Sequence, residues 1–247
     1  MTARAVVVTG AAQGIGRAIA ARQARTGRRV WCIDVDEAVL DATVAELRGT
    51  GADVRSAVCD VGDADAVHDA WARVDAEGDQ VTALVNNAGI FRREAALDVQ
   101  PEDWDRVLSV NLTGAFLMAQ QAVRRLARRG DPGAIVSVAS GQAYRPAPRG
   151  AAYAASKAGL VNLTRALASE WGPLGVRVNT VVPGLTDTAQ PRAVKVDADF
   201  VLAAQSTPLG RLSTPDDVAG VVAFLLSEDA ASITGQAYAV NGGRVML

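Results

Sequence analysis

Short apolar runs rich in valine and isoleucine recur along the chain and alternate with longer stretches of helical spacing. Strands that are apolar at successive positions are typical of a parallel sheet buried on both faces. Helices between such strands carry the chain back across the sheet in right-handed crossovers. The alternation therefore predicts the α/β class, with a doubly wound parallel sheet of about seven strands and helices on both faces. The clearest predicted strands cover residues 5–9, 29–34, 53–59, 82–86, 134–139 and 176–181.

No linker rich in proline, glycine or serine divides the 247 residues, and neither does a charge block or an internal repeat. We therefore expect one domain over residues 1–247, although this length would also accommodate two. Residues 185–213 are the least regular stretch, because their prolines and short polar runs interrupt the alternation before the last helix and strand. We expect a lid or substrate loop there.

The charges are balanced, with 25 lysines and arginines against 27 aspartates and glutamates and a formal net charge of −2. The arginines are scattered among the acids, so the sequence lacks the basic patch of a nucleic-acid binder. No apolar run approaches the roughly 20 residues that span a bilayer, and the N-terminus leads directly into the first strand. We expect a cytoplasmic protein with small-molecule partners and no contact with nucleic acid or membrane.

Cysteine and histidine usage predicts no metal site. Cys32 and Cys59 are the only cysteines, and both end apolar runs of strand type, which favours buried reduced thiols over a disulfide. His68 is the sole histidine and lies in a polar stretch of helical character, so we expect it at the surface.

A glycine-rich turn separates the first predicted strand from the first predicted helix. Gly10, Gly14 and Gly16 lie in this turn, where glycine permits a tight bend and lets the backbone approach a pyrophosphate at the helix N-terminus. The second strand ends at Asp34, 18 residues after Gly16. A carboxylate there can accept hydrogen bonds from adenosine ribose hydroxyls. Turn and carboxylate together are typical of a Rossmann-type dinucleotide site.

The residues near Asp34 favour NAD over NADP. Its carboxylate would repel the 2′-phosphate of NADP, and no arginine or lysine follows at Val35. The residue before Gly14 is Gln13, which carries no positive charge. In the alternative interpretation, Asp34 only caps the helix that follows.

Tyr153 and Lys157 are four residues apart in a strongly helical stretch, so they lie on one face of a helix. An ammonium within about 4–6 Å of a phenol favours the phenolate and lowers the tyrosine pKa by about 1–3 units. A helix N-terminus and a positively charged nicotinamide ring would act in the same direction. Such a tyrosine can accept a proton from an alcohol as hydride leaves, and can return it to a carbonyl.

These features occur in a sequence that resembles the short-chain dehydrogenase/reductase family over essentially its whole length. The resemblance implies a nicotinamide-dependent oxidoreductase with the catalytic residues Asn111, Ser140, Tyr153 and Lys157. The matching residues appear in the family's order: Thr9-Gly10-Ala11-Ala12-Gln13-Gly14-Ile15-Gly16, Asp60, Asn86-Asn87-Ala88-Gly89, Asn111, Ser140, Tyr153-Ala154-Ala155-Ser156-Lys157, Pro183-Gly184 and Thr188.

The resemblance also implies the cofactor contacts. It assigns the adenine to Asp60 and Val61, the cofactor's path beside the central strand to residues 87–89, and the nicotinamide carboxamide to residues 183–188. The predicted cofactor set is Gly10, Gln13, Gly14, Ile15, Gly16, Asp34, Val35, Asp60, Val61, Asn87, Ala88, Gly89, Tyr153, Lys157, Pro183, Gly184, Leu185, Thr186 and Thr188.

Lysine is a rare residue here, because 23 of the 25 basic residues are arginine and the only other lysine is Lys195. The resemblance has Lys157 bond a ribose hydroxyl and a proton-relay water. A rigid arginine fork does not replace a compact ammonium in that role. We therefore interpret Lys157 as a site residue and not as a solvated helix lysine.

Ser140 follows a predicted strand and precedes Tyr153 by 13 residues, so a crossover can bring both side chains to one substrate oxygen. The serine hydroxyl would orient and polarise that oxygen. Ser137 competes by strand alternation, and the family spacing selects Ser140. Asn111 lies in a predicted helix, although asparagine is a mediocre helix former. The resemblance makes it the holder of the relay water, whereas its pattern alone equally allows a packing role.

Substrate recognition is the least constrained part of the prediction. Arg92 and Arg93 could attract an acidic substrate, although a solvated pair is the simpler interpretation. The predicted substrate contacts are Ser140, Gln142, Tyr153 and Gly184, with Phe91 and Tyr144 beside them. Trp104, Trp171 and Phe224 have helical spacing among apolar residues, which predicts packing. The resemblance implies a two-fold interface on the helices around Phe116 and Leu160, and a homotetramer.

Three functions remain open at this point. The main prediction is an NAD(H)-dependent oxidoreductase that interconverts a secondary alcohol and a ketone. The alternative is an NADPH-dependent reductase of 3-oxoacyl thioesters or polyketide-type ketones, for which a basic carrier-protein patch would be a sign, and none is clear. A cofactor-binding regulator without turnover would lack the tyrosine or the lysine, and both are present.

Overall fold

The computed structural model describes residues 4–192 and 196–246, in which strands and helices alternate as the apolar runs predict. The strands are β1 (Arg4–Thr9), β2 (Arg29–Asp34), β3 (Val54–Val58), β4 (Gln80–Asn86), β5 (Gly133–Val138), β6 (Val176–Pro183) and β7 (Ala237–Val240). The helices are α1 (Gly14–Ala24), α2 (Glu37–Gly49), α3 (Ala64–Ala76), α4 (Pro101–Leu108), α5 (Gly114–Arg129), α6 (Ala151–Trp171), α7 (Ala189–Arg192), α8 (Asp197–Gln205) and α9 (Pro215–Leu225).

The strands form one parallel sheet in the order β3-β2-β1-β4-β5-β6-β7. The predicted doubly wound, Rossmann-type fold is thereby confirmed. The chain builds the sheet outward in one direction from β1 and in the other from β4. The connections after these two strands therefore diverge, which opens a crevice at the carboxyl ends of the strands.

Alternate residues of β1 supply two separate cores. Ala5 and Val7 pack with side chains of α3, α5 and α6, whereas Val6 and Val8 pack with side chains of α1, α2 and α9. All four are fully buried. Because helices cover both faces, every position of such a strand can be apolar, which explains the continuous apolar runs.

The helix predicted around Asn111 runs from Pro101 to Arg129, but it is not α-helical throughout. A π-helical turn, Ser109–Thr113, joins α4 to α5, and the Gly114 N–H donates to the Ser109 carbonyl across it. A Cβ on Gly114 would lie 2.4 Å from the Val61 carbonyl oxygen, so this turn approaches the loop after β3 closely. The helix predicted around Asn111 is therefore confirmed. Only its π-helical turn was not predicted, because local periodicity does not report contacts with distant segments.

Two of the three aromatic residues predicted to pack are on the surface. Trp104 is 37% exposed and Phe224 is 40% exposed, whereas Trp171 is buried. Leu160, which was expected near a subunit contact, is buried within the chain, and Phe116 is partly buried against the core. The cysteines follow the prediction, since Cys32 and Cys59 are both buried, and His68 is exposed on α3. None of the helices in the described ranges is long and apolar enough to cross a membrane.

Residues 185–213 depart from the alternation, as the sequence indicates. Thr186 and Ser213 form an isolated bridge at the base of this segment, and α7 and α8 lie between them. Arg192 pairs with Asp187 and stacks over the Phe200 ring, 4.8 Å from its centroid. Residues 193–195, which include Lys195, lie outside the described residues.

The glycine-rich turn after β1 is held by close backbone packing. Gly10 and Gly14 have positive φ angles of 63° and 58°, a backbone conformation that favours glycine. A Cβ on Gly16 would lie only 1.9 Å from the Gly10 carbonyl oxygen. The first and third glycines therefore let α1 begin directly against the end of β1.

The packing at Gly16 gives the first prediction. Gly16→Ala should lower the free energy of unfolding by at least about 3 kcal/mol, because the added methyl group overlaps a backbone oxygen. Gly49→Ala is the matched control, since a Cβ there meets no described atom within 4 Å; it should change stability by less than about 1 kcal/mol. Urea unfolding followed by circular dichroism measures both. Equal stability of the two variants would contradict the close approach.

Candidate active site

A cleft of about 1110 Å³ lies at the carboxyl ends of the strands. It gathers most of the predicted site residues from positions far apart in the sequence. Gly16 and Asn111 are exceptions, because both are buried and neither is among the described lining residues. The predicted residues that line the cleft are Gly10, Gln13, Gly14, Ile15, Asp34, Val35, Asp60, Val61, Asn87, Ala88, Gly89, Ser140, Gln142, Tyr153, Lys157, Pro183, Gly184, Leu185, Thr186 and Thr188.

Thr9 and Asn87 join the ends of the two central strands at the floor of the cleft. The Thr9 hydroxyl accepts hydrogen bonds from the backbone N–H groups of Asn87 and Ala88, each at 3.1 Å. The Asn87 amide nitrogen donates to the carbonyls of Thr9 (3.1 Å) and Gly10 (3.0 Å). This side chain is therefore a brace between β1 and β4, in addition to being part of the cleft wall.

Asp34 lies at the end of β2 with its carboxylate against the glycine-rich turn. One carboxylate oxygen accepts from the Ala12 N–H (2.9 Å), and the other accepts from the Val35 N–H (2.8 Å). Helix α2 is capped instead by Asp36, which accepts from the Val39 N–H. The alternative that Asp34 caps the following helix is therefore wrong.

The turn and the adjoining strand ends fit a dinucleotide. Gln13 precedes α1 without forming a side-chain cap, so no side chain competes with an anion at this helix N-terminus. Glycine at position 14 leaves room there, because a Cβ would lie 3.4 Å from Thr188 at the opposite wall. The residues present therefore suit a pyrophosphate between the turn and the start of the 185–213 segment, with a ribose at Asp34.

Asp60 forms the far end of the cleft together with Arg106. The Arg106 guanidinium lies 2.8 Å from an Asp60 carboxylate oxygen, and the Gly62 N–H donates to the other oxygen at 2.9 Å. Burial raises the pKa of Asp60, but these hydrogen bonds outweigh it and hold the pKa below its usual range. Asp60 is therefore an anchored carboxylate. The sequence did not predict Arg106 here.

Tyr153, Ser140 and Lys157 meet on one wall of the cleft. The Tyr153 hydroxyl lies near enough to Ser140 for the serine to lower its pKa, and the Tyr153 ring packs edge-on against Phe91 with centroids 4.9 Å apart. The Lys157 ammonium lies 5.7 Å from the Tyr153 ring centroid and donates to the Val138 carbonyl at 2.9 Å. Ser137, the competing serine, is buried within β5 and is not among the described lining residues.

When only the protein's own side chains are considered, the prediction that Lys157 lowers the pKa of Tyr153 is wrong. Burial raises the pKa of Tyr153 above its usual value, and the nearby Ser140 hydroxyl only partly offsets this. The ammonium points to a backbone carbonyl and not to the phenol oxygen. Burial also lowers the pKa of Lys157 to about 8. Desolvation, which spacing does not report, therefore dominates both groups.

Asn111 lies behind the wall in the π-helical turn. Its side-chain oxygen accepts from the Ile90 N–H (2.8 Å), and its amide nitrogen donates to the Ile90 carbonyl (2.9 Å) and to Ser156 (3.0 Å). Ser156 in turn donates to the Tyr153 carbonyl at 2.7 Å. The asparagine thus ties the loop after β4 to the first turn of α6, which carries Tyr153. Ile90, which adjoins residues 86–89, was missed, and Ser156 was given no role although it lies within the matching 153–157 motif.

The outer wall differs from the prediction. Tyr144 is exposed and is not among the described lining residues, although it directly follows a short helical turn that contains Gln142. Gln142 does line the cleft, and its buried side-chain oxygen has no hydrogen-bond partner among the described residues. Arg93, Arg145 and Arg244 also line it. The sequence suggested only Arg93, because the other two come from loops that the fold brings together.

Comparison with known proteins agrees with this geometry. A family model described as enoyl-(acyl carrier protein) reductase matches residues 10–244. D-Threitol dehydrogenase from Mycolicibacterium smegmatis is 38% identical over 240 residues, which cover 97% of this chain and 92% of that protein. The chain belongs to the short-chain dehydrogenase/reductase family.

Solved structures of short-chain dehydrogenases/reductases share the fold throughout. A Beutenbergia cavernae protein, named as an NAD(P)-dependent gluconate 5-dehydrogenase and holding NADP at low occupancy, has a TM-score of 0.92 and 37% identity over 99% of this chain and 97% of that one. A 3-ketoacyl-(acyl-carrier-protein) reductase from Brucella melitensis, complexed with NADH, has a TM-score of 0.90 and 34% identity over 99% of both chains. This short-chain dehydrogenase/reductase is an oxidoreductase that interconverts alcohols and ketones with a nicotinamide cofactor.

The burial of Lys157 predicts a stability cost with a defined pH dependence. In the folded protein its pKa is about 8, against 10.5 for a lysine exposed to water, so between these values the unfolded chain binds more protons. The cost of the buried ammonium is therefore fully present below pH 8 and disappears as the pH rises towards 10.5. The pKa difference corresponds to at most about 3 kcal/mol.

Lys157→Met should therefore unfold at a higher urea concentration than the wild type at pH 7, and this advantage should shrink by pH 10. The comparison between the two proteins cancels the titration of the other groups. Urea unfolding at several pH values measures it. If the two proteins keep a constant difference from pH 7 to pH 10, the ammonium is not the source of the cost.

Proposed function

We propose that the chain is an NAD-dependent dehydrogenase that oxidises a secondary alcohol to a ketone and catalyses the reverse reduction. The observation that carries this proposal is the Tyr153 hydroxyl on the cleft wall, with Ser140 on the same wall and the buried Lys157 one helical turn later. A phenol, a hydroxyl and an ammonium in this arrangement suit proton transfer to or from one substrate oxygen.

The cofactor would bind along the cleft with its adenosine at Asp34 and Asp60. The turn after β1 and the N-terminus of α1 would hold the pyrophosphate, and residues 183–188 would contact the nicotinamide end. When bound, NAD accepts the hydride that leaves the alcohol carbon, and NADH returns it. The preference for NAD is supported by the Asp34 carboxylate, which would repel a 2′-phosphate. Val35 beside it is exposed and offers no positive charge.

Tyr153 moves the proton in this scheme. As the hydride leaves the alcohol carbon, the phenolate oxygen of Tyr153 accepts the hydroxyl proton, and the electrons of the broken O–H bond form the second bond of the carbonyl. In the reverse direction the phenol returns the proton to the alkoxide oxygen. Ser140 donates a hydrogen bond to the same substrate oxygen and so stabilises the negative charge that develops on it.

Lys157 and the oxidised nicotinamide ring supply the positive charge that opposes the burial of Tyr153. A lysine with a pKa of about 8 is mostly protonated at neutral pH. We propose that the backbone carbonyl of Asn111 holds the relay water. Its side chain is already engaged by Ile90 and Ser156, so the backbone of the π-helical turn is the group left to make this contact.

The alternative is an NADPH-dependent reductase of 3-oxoacyl thioesters. The similarity to a 3-ketoacyl-(acyl-carrier-protein) reductase favours it, whereas Asp34 opposes the NADPH preference. A regulator without turnover is disfavoured because Tyr153 and Lys157 both line the cleft. Assays of secondary alcohols and ketones with NAD(H) and NADP(H) in parallel separate these functions.

Assembly, location and domain organisation complete the proposal. We propose a homotetramer in the cytoplasm, in line with the resemblance to the family, and one domain over residues 1–247. Residues 185–213 would act as a lid over the substrate. The lid is supported by Leu202 of α8, which is exposed on one side and lines the cleft on the other.

Tyr153→Phe tests the proton transfer. The ring remains but the transferable proton is lost, so turnover should fall by about three orders of magnitude or more while cofactor binding persists. Tyr144→Phe is the matched control, because Tyr144 is exposed outside the cleft, and it should keep wild-type turnover. Steady-state kinetics and titration with NADH measure the two properties. Turnover by Tyr153→Phe near the wild-type rate would remove Tyr153 from this role.

Asp34→Ala tests the choice of cofactor. Loss of the carboxylate should lower kcat/KM with NAD and raise it with NADP, so the ratio of the two should fall by about tenfold or more. Asp41→Ala is the control, since Asp41 is exposed on α2 and is not among the described lining residues. An unchanged ratio in Asp34→Ala would mean that another residue recognises the ribose.

A further inference from the structure

Three arginines line the substrate end of the cleft, and each comes from a different loop. Arg93 follows β4, Arg145 follows β5 and Arg244 follows β7. Arg93 is two residues from Phe91, whose ring packs on Tyr153. Arg145 is three residues from Gln142, which follows Ser140. The loops of Arg93 and Arg145 therefore border the region around the reacting oxygen, and not the adenosine end.

Backbone contacts hold these loops next to one another. The Glu94 N–H donates to the Arg149 carbonyl at 3.0 Å, which joins the loop of Arg93 to the loop that contains Arg145. The segment after β7 packs on the same region, because a Cβ on Gly141 would lie 3.5 Å from a Val245 methyl group. The three loops that carry these arginines therefore adjoin one another at one end of the cleft.

The three arginines differ from the other arginines near the cleft, which have acidic partners. Arg92 pairs with Asp103, and Arg106 pairs with Asp60 at 2.8 Å. Arg211 likewise pairs with Asp217 at 2.6 Å. Within residues 4–192 and 196–246, the side chains of Arg93, Arg145 and Arg244 form no ion pair or hydrogen bond. Their positive charge is thus available to a ligand.

Acidic residues lie mainly at the opposite end. Asp34, Asp36 and Asp60 line the cleft beside β2 and β3, whereas Asp199 is the one acid among the described residues that line the end near α8. The Asp199 carboxylate accepts a hydrogen bond from the Val196 N–H, as part of the first turn of α8. The charge of the cleft is therefore polarised along its length.

We propose that Arg93, Arg145 and Arg244 form an anion subsite, and that the substrate is a secondary alcohol or ketone that carries a carboxylate or phosphate group. This inference rests on the proposed function, because it uses Tyr153 to define where the reacting carbon lies. Arginine suits the role because its planar fork donates two hydrogen bonds to an oxyanion. The subsite would orient the substrate by its charged end and would raise its local concentration in the cleft.

Pairs of charged and neutral substrates test the proposal in the wild-type enzyme. For the carboxylate, 3-hydroxybutanoate and 5-hydroxyhexanoate are compared with their methyl esters; for the phosphate, 3-hydroxybutyl phosphate is compared with 4-methoxybutan-2-ol. The charged member of at least one pair should have a kcat/KM about tenfold higher or more. This advantage should fall as ionic strength rises, whereas the neutral member should respond little.

The variant Arg93→Gln/Arg145→Gln/Arg244→Gln removes the charges and keeps polar side chains. It should lower kcat/KM for the favoured anion by about tenfold or more and leave the neutral partner within about twofold. Arg92→Gln is the matched control, because Arg92 is exposed, adjacent to Arg93 and paired with Asp103 outside the cleft. It should leave both substrates unchanged. Equal kcat/KM for the members of every pair, or an advantage that survives the triple substitution, would overturn the subsite.

A binding measurement separates this proposal from the proposed function. Calorimetric titration of the NAD-saturated protein with 3-oxobutanoate, 5-oxohexanoate and 3-oxobutyl phosphate forms complexes that cannot turn over. If no alcohol reacts with either cofactor, the proposed function fails. Even then, tighter binding of one of these three anionic ketones to the wild type than to the triple variant supports the subsite. Equal or undetectable binding to both proteins overturns it.

Discussion

Thr9 and Asn87 join the carboxyl ends of β1 and β4, the two strands from which the sheet is built in opposite directions. Their hydrogen bonds fix the Asn87 side chain against the carbonyls of Thr9 and Gly10, in space that a Cβ on Gly10 or Gly16 would occupy. The glycine-rich turn is therefore packed against the segment after β4. The start of α1, the wall at residues 87–89 and the tie from Ile90 to Asn111 all depend on this brace.

The buried ammonium of Lys157 lowers the stability of the folded protein. An ammonium buried beside one backbone carbonyl is costly, and burial also raises the pKa of the neighbouring Tyr153. An apolar residue of similar length would pack there at lower cost. The sequence itself is consistent with a specific requirement, since it uses arginine almost everywhere else. The proposed proton transfer requires positive charge near Tyr153, whereas packing alone does not.

Features that depend on local pattern could be predicted from the sequence. The strand runs and the turn with Asp34 are examples, because burial on both faces and a tight bend restrict residue type at each position. Contacts between distant segments could not be predicted. The π-helical turn at Asn111 lies where Gly114 closely approaches Val61, a residue more than 50 positions earlier. The raised pKa of Tyr153 depends on burial, and Arg145 and Arg244 reach the cleft only through the order of the strands.

The same distinction explains why family membership leaves the substrate open. The residues around Tyr153 are held by the brace between β1 and β4 and by α6. They therefore determine the reaction at the substrate's reacting oxygen and carbon only. The rest of a substrate would meet loops after β4, β5 and β7, whose sequences the fold does not constrain. Folding does not require an unpaired charge in such loops, since an arginine paired with an acidic residue would serve the fold equally well. Three loops of this chain nevertheless supply unpaired arginines to one end of the cleft, which makes charge the feature by which this member of the family would select its substrate.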